Sequence, residues 1–215
     1  MNLFPLSSNF EINSDNLNKK QVAFKGTNIG NVNIIHNGKL KQAKIVKFDP
    51  NDALDITTLK NLSDYWNKIF PKKNSSAGYI RTIYDQFIRK NENFEFWALE
   101  LPDSHENIIE RILGFISFDK EFNKISPDRL IVRQDKSYKN PERNFKYLGS
   151  SLLYALCKYF KNTNFDKILL SSSNDPYYDH IKMPKLKEDD QYRFLDKLNI
   201  DRFIKNLEDS FNYNL

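Results

Sequence analysis

Cysteine is all but missing from this chain. Cys157 is the single one among 215 residues, which excludes a disulfide scaffold, and its place on the apolar side of a predicted helix reads as a core position in a reducing compartment rather than a nucleophile. The three histidines, His36, His105 and His180, are scattered. With no Cys or His at zinc-ligand spacing, no metal site is expected. No apolar run reaches the length of a membrane span, so no membrane partner is expected. The opening segment MNLFPLSSNFEINSD has neither a basic start nor a continuous apolar stretch. It does not read as a secretory signal, and the cytoplasm is the expected location. No block of like charge forms a binding tail, and no G-x-G-x-x-G follows the first strand, which sets aside a nucleotide-binding fold of the dehydrogenase kind.

What is present is an ordinary globular composition. The length suits one sizeable domain with an appendage, or at most two small ones, and 14% aromatic residues supply a core. Thirty-three basic against 28 acidic residues give a net charge of +5. That excess favours anionic ligands and is compatible with nucleic acid, although a lysine-rich solvated surface explains it more simply. Residues 1–30, rich in Asn and Ser with isolated aromatics, read as a loose arm that docks through Phe4, Phe10 or Phe24. In residues 32–48 Asn37-Gly38 separates two alternating runs, the pattern of a hairpin with a type I′ turn.

After Asp49-Pro50-Asn51-Asp52, which offers helix caps, Leu54, Leu59, Leu62, Trp66 and Ile69 predict one helix ended by Pro71. A second, from near Ser75, buries Ile80, Ile83, Tyr84, Phe87 and Ile88. FEFWALEL (94–101) and the run from Arg111 to Phe118 predict an antiparallel pair of strands. Arg129 to Gln134 predicts the next strand, followed by a loop from Asp135 to Phe145. A further strand is expected over 166–173, then a short helix opened by Asp175-Pro176, then a last strand and a helix carrying Phe203, Ile204, Leu207 and Phe211.

The most informative segment is FKYLGSSLLYALCKYFK, residues 145–161. A short glycine-bearing turn runs directly into an amphipathic helix, and the free N–H groups and positive dipole end of such a helix can hold a phosphate or pyrophosphate. Ser150, Ser151 and Lys146 add donors. This order of parts, with LIVRQ before it and KILLSSSNDPYYDHIKM after it, resembles the GCN5-related N-acetyltransferase family. That family has [Gln/Arg]-x-x-Gly-x-[Gly/Ala] at a helix start. Here Asn144 stands first, Tyr147 replaces the first glycine and Gly149 matches the second. LLYAL follows as the family's Leu-Leu helix does, ILGFISF looks like its third strand and FEFWALEL like its second. The resemblance spans roughly residues 43–198. It implies an α/β (α+β) fold, a single domain with a mixed central sheet flanked by helices over residues 43–215, with residues 1–42 as an N-terminal arm and hairpin extension.

The resemblance also implies acetyl-CoA as co-substrate, and an amine acceptor on a small molecule or protein, in a monomer or homodimer without nucleic acid. Backbone groups of Ile131, Val132 and Arg133 would face the acetyl carbonyl and pantetheine. The diphosphate would rest on the amides of Leu148, Gly149, Ser150 and Ser151 beside Tyr147, with Lys146 and Arg143 pairing with its oxygens and Asn174 nearby. Tyr178, with Tyr177 adjacent, would protonate the leaving thiolate, since a phenol near pKa ~10 can donate to a thiolate near ~8.5 as the C–S bond breaks. Glu100 and Asp119, at strand ends, are the carboxylates available as general base. Two other readings stay open. Tyr147 in place of glycine suits a non-catalytic binding module on the same fold, and Tyr138, Phe145 and Tyr147 amid basic charge would suit an RNA-binding surface.

Overall fold

The computed structural model describes residues 6–7, 26–69, 75–89, 92–102, 108–121, 124–133, 144–171, 175–187 and 189–212. Its strands are β1 (Leu6–Ser7), β2 (Thr27–His36), β3 (Lys39–Lys47), β4 (Phe94–Glu100), β5 (Ile112–Glu121), β6 (Lys124–Val132), β7 (Phe145–Lys146), β8 (Lys167–Ser171) and β9 (Tyr192–Asp196). They form one mixed sheet in the order β1-β2-β3-β4-β5-β6-β8-β9, with β7 beside β2. The helices are α1 (Ala53–Ile69), α2 (Ser75–Ile88), α3 (Ile108–Arg111), α4 (Leu148–Lys161), α5 (Asp175–His180) and α6 (Ile200–Asn212). The β6–β8 pairing is parallel and its neighbours β5–β6 and β8–β9 are antiparallel. The sheet is therefore mixed and flanked by helices, as the sequence predicts.

Local chemistry explains the elements. Asn37 and Gly38 take φ of 52° and 73°, the left-handed pair a type I′ turn demands, and so join β2 to β3. Asp52 caps α1, accepting from the N–H groups of Leu54 at 2.8 Å and Asp55 at 3.2 Å, while the Asp55 carboxylate reaches back to the Asp49 N–H at 2.8 Å. Asp52 is thus the N-cap of α1, and Asp55 ties the turn before it to the helix.

The central strand β4 is buried on both faces, which is why its sequence reads as nearly unbroken apolar residues. Trp97 and Leu99 join a core covered by α4 and α6, through residues such as Leu152, Leu156, Phe203 and Leu207. Phe96 and Ala98 join a second core covered by α1 and α2, through Leu59, Trp66, Ile80 and Ile83.

Several boundaries differ from the sequence reading. From Thr27 the chain is already in β2, and Val32, Ile34 and Ala43 are buried in the α4-side core, so the hairpin is part of the sheet. The docking residues Phe4, Phe10 and Phe24, and the loop over 134–143, lie outside the described residues. β6 begins at Lys124, not Arg129, because Pro127 sits next to a register shift between Ser117 and Phe118, a position where a strand tolerates proline. Leu54 is about one-third exposed (36%) on α1 and does not join the core.

Candidate functional site

The hairpin end prepares the start of α4. The Asn37 N–H donates to the Asn144 carbonyl at 2.7 Å, Phe145 and Lys146 pair with His36 and Ile35 of β2, and the Phe145 ring stacks on His36 at 4.2 Å. Residues 144–146 are thereby fixed, and Tyr147 turns the chain into the helix with φ 68° and ψ 14°. That is a left-handed conformation, which costs an L-residue about 1–2 kcal/mol. Tyr147 thus adopts the backbone shape that a glycine would take freely, while its ring packs half-buried against the α4-side core.

The N-cap residue Tyr147 makes no side-chain capping bond to α4. The Ser151 N–H makes an intrahelical bond to the Tyr147 carbonyl at 2.8 Å, so the N–H groups of Leu148, Gly149 and Ser150 precede the helical ladder and have no acceptor within it. They and the exposed Lys146 are the donors available to an anion. Ser151 is not among them, a correction to the sequence reading. Its hydroxyl donates to the Asn33 carbonyl of β2 at 2.7 Å, tying α4 to the sheet.

Beside this helix start the sheet opens. Parallel strands β6 and β8 pair only at Lys124–Lys167 and Ile125–Ile168, although β6 continues to Val132 and β8 to Ser171. On its other side β6 stays paired with β5 as far as Val132 opposite Gly114. Its amides therefore sort by alternation. The Arg133 N–H donates to the Leu113 carbonyl at 3.0 Å, and Ile131 is in phase with it, its carbonyl lying 2.9 Å from a Cβ built on Gly114. In an antiparallel ladder the intervening residues, Leu130 and Val132, present their backbone groups to the opposite side, which is the gap facing β8. Of the predicted trio, Val132 faces the gap, whereas the amides of Ile131 and Arg133 are committed to β5, a correction. Leu130 was missed.

The two tyrosines of α5 divide their roles. Tyr177 reaches the start of α4, its hydroxyl 3.2 Å from Ser150 Oγ. A Cβ on Gly149 would lie 3.1 Å from that hydroxyl and 3.4 Å from Leu130 Cδ2, so helix start, β6 and Tyr177 converge. Burial pushes the Tyr177 phenol up, against the opposing effect of the Ser150 hydroxyl. Tyr178 points into the α4-side core instead. Burial pushes its phenol up to about 12, with Arg193 pulling the other way, and the two rings meet edge to face at 5.1 Å. The structure brings Tyr177, not Tyr178, to the helix start.

The carboxylates separate as well. Glu100 stands one residue beyond the cross-strand row Leu99–Gly114–Val132, at the open end of the sheet. It follows Phe96 and Ala98 in phase and so faces α1 and α2, buried and paired with Arg111 Nε at 3.5 Å. Arg133 shares that side, its guanidinium 5.7 Å above the Tyr65 ring. Asp119 pairs with Phe94 and Ser126, five residues along β5 from Gly114, roughly 16 Å at ~3.3 Å per residue. It lies at the far end of the strand, a correction. Arg143 and Asn174 fall outside the described residues. Among the described residues no group of three or more His, Cys, Asp or Glu is arranged to hold a metal ion, no helix is long and apolar enough to cross a membrane, and Cys157 is fully buried, its thiol pushed up by burial.

No family model matches the chain, and no curated protein does. Among solved structures, a chain of the KacTA–DNA complex aligns at 13% identity with a TM-score of 0.49, covering 75% of this chain and 99% of that one. The PaiA N-acetyltransferase of Thermoplasma acidophilum, in complex with coenzyme A, aligns at 16% identity and 0.43, covering 71% and 98%. Tetrahymena GCN5 aligns at 12% and 0.43, covering 70% and 93%.

Proposed function

We propose that the protein is a divergent GCN5-related N-acetyltransferase that moves an acetyl group from acetyl-CoA to a primary amine of a small molecule or protein by direct attack. The observation that carries this reading is the parting of parallel strands β6 and β8 beyond Ile125 and Ile168, beside a helix start whose N-cap residue makes no side-chain capping bond. A parted parallel pair leaves a row of backbone donors and acceptors that an extended amide-bearing arm can pair with as a strand would. The adjacent helix N-terminus is suited to a diphosphate.

On this reading the Leu130 and Val132 backbone groups bind the pantetheine arm, and the inward-facing N–H polarises the thioester carbonyl as its oxygen gains charge. The N–H groups of Leu148, Gly149 and Ser150 hold the diphosphate with Lys146 beside them. The neutral amine attacks the carbonyl carbon, the C–S bond breaks, the thiolate takes a proton from Tyr177, which burial keeps in its protonated form, and the proton shed by the acylated nitrogen passes through solvent and restores the phenol. Glu100, on the α1 and α2 side, borders the space from which the amine approaches.

A second reading, a non-catalytic binding module, is favoured by one specific observation. Tyr147 occupies the first glycine position with a left-handed backbone, so its side chain narrows the space a diphosphate would enter. Calorimetric titration with CoA and acetyl-CoA separates the two. Micromolar binding that disappears in a folded Gly149→Trp variant supports the acetyltransferase. A folded wild-type protein that binds neither ligand leaves the binding module.

A further inference from the structure

Helix α5 is six residues long, too short to hold its own shape, yet it carries Tyr177, which reaches the site. Arg193 of β9 holds it. Only 1% exposed, its guanidinium reaches Asp175 Oδ1 through Nη2 at 2.6 Å and Asp179 Oδ1 through Nη1 at 2.7 Å, and Nη1 also donates to the Met183 carbonyl at 3.0 Å. Asp175 and Asp179 are one turn apart and so share a face of the helix. Tyr177, two residues from each, projects from roughly the opposite face, toward Ser150. Tyr178 lies between these directions, its ring 5.9 Å from the guanidinium. The planar, two-pronged geometry of arginine suits this grip, and a lysine could hold one carboxylate at a time. Burying a guanidinium is costly compared with apolar packing of similar volume, so its gain here is in geometry.

We propose that Arg193 is a positioning residue that clamps both ends of α5 from below and thereby holds the Tyr177 hydroxyl at the start of α4. Its effect on turnover rests on the acetyltransferase reading, whereas its effect on α5 does not. Hydrogen exchange of the ligand-free protein therefore comes first, read at the Ile181, Lys182 and Met183 amides, whose acceptors are the carbonyls of Tyr177, Asp179 and Tyr178. Arg193→Met is expected to speed their exchange at least about tenfold with α4 unchanged, and Arg193→Lys to fall between the two. Should Arg193→Met not fold, Asp175→Ala and Asp179→Ala each remove one acceptor of the clamp from a partly exposed side chain and take its place. Unchanged exchange at these amides overturns the proposal.

Turnover of acetyl-CoA supplies the second arm. Arg193→Met and Tyr177→Phe are each expected to lower kcat about tenfold or more with KM for acetyl-CoA little changed, and the double variant to be no slower than either alone. Multiplicative losses overturn the claim that Arg193 acts through Tyr177. Faster exchange in a protein that binds no CoA upholds the clamp and removes the acetyltransferase reading.

Discussion

Replacing Tyr147 tests the helix start most sharply, because two effects of the side chain can be pulled apart. At φ 68° and ψ 14° any L-residue pays about 1–2 kcal/mol, and the half-buried ring offsets this through its packing against the α4-side core, about 1–2 kcal/mol for a side chain buried to that extent. Tyr147→Ala loses the packing and keeps the backbone strain. Tyr147→Gly loses both, so it is expected to be more stable than the alanine variant by about 1 kcal/mol, the reverse of the usual preference for alanine over glycine. In a chain of this size that is about 2–4 °C in Tm. The same variant clears the approach to the Leu148, Gly149 and Ser150 amides, and CoA affinity is expected to rise about fivefold, equivalent to roughly 1 kcal/mol. Paired thermal melts and CoA titrations read both. An alanine variant as stable as the glycine one refutes the left-handed conformation, and weaker CoA binding by the glycine variant refutes the idea that the ring obstructs the ligand.

Other consequences follow from the packing around the sheet. A Cβ on Gly114 would sit 2.9 Å from the Ile131 carbonyl oxygen and 3.2 Å from Leu152 Cδ1, so Gly114→Ala is expected to cost about 1–3 kcal/mol by chemical denaturation; a neutral result would show that β6 moves freely against β5. Glu95 is buried with Lys47 Nζ at 3.0 Å and Lys120 Nζ at 2.5 Å on one oxygen and the Trp97 indole N–H at 2.9 Å on the other. Burial pushes its carboxyl up, but the two lysines outweigh burial and hold it below its usual 4.5. A depressed carboxylate adds stability that is full above the ordinary range and is lost as pH falls through the lowered value. Glu95→Gln is accordingly expected to lower the urea midpoint at neutral pH, with the gap closing below about pH 4.5; a gap independent of pH contradicts the ion-pair account. Lys197 reaches the carbonyls of Phe160 at 3.0 Å and Thr163 at 2.6 Å, at the end of α4. As a largely exposed cap it is worth about 1 kcal/mol, which thermal melts of Lys197→Met will read; an unchanged Tm would mean that water serves α4 equally well.

Signals confined to neighbouring residues were legible in the sequence. Asn37-Gly38 announces its turn, Asp52 its cap, and the spacing of Leu148, Leu152, Leu156 and Phe160 the buried face of α4. What depends on register across the sheet was not. Whether Leu130 or Ile131 faces the gap is decided by the Arg133–Leu113 bond, and a slip of one residue would exchange them. Ser151 looks like a phosphate donor until the chain brings Asn33, 118 residues away, to its hydroxyl at 2.7 Å. Glu100 and Asp119 both end strands, yet antiparallel neighbours run oppositely, so the two lie at opposite ends of the β4–β5 pair. The choice between Tyr177 and Tyr178 rests on how Arg193 orients a helix of six residues, a contact made by a strand that comes later in the chain.

The central claim is that the parted edge of β6 receives a pantetheine arm. Amide hydrogen exchange along β6, with and without saturating CoA, tests it directly. The account predicts that Ile131 and Arg133 are protected already, through β5, and change little, while Leu130 and Val132 exchange fast in the free protein and slow on binding. Slowing of all four together, or of none when CoA is bound, would contradict it.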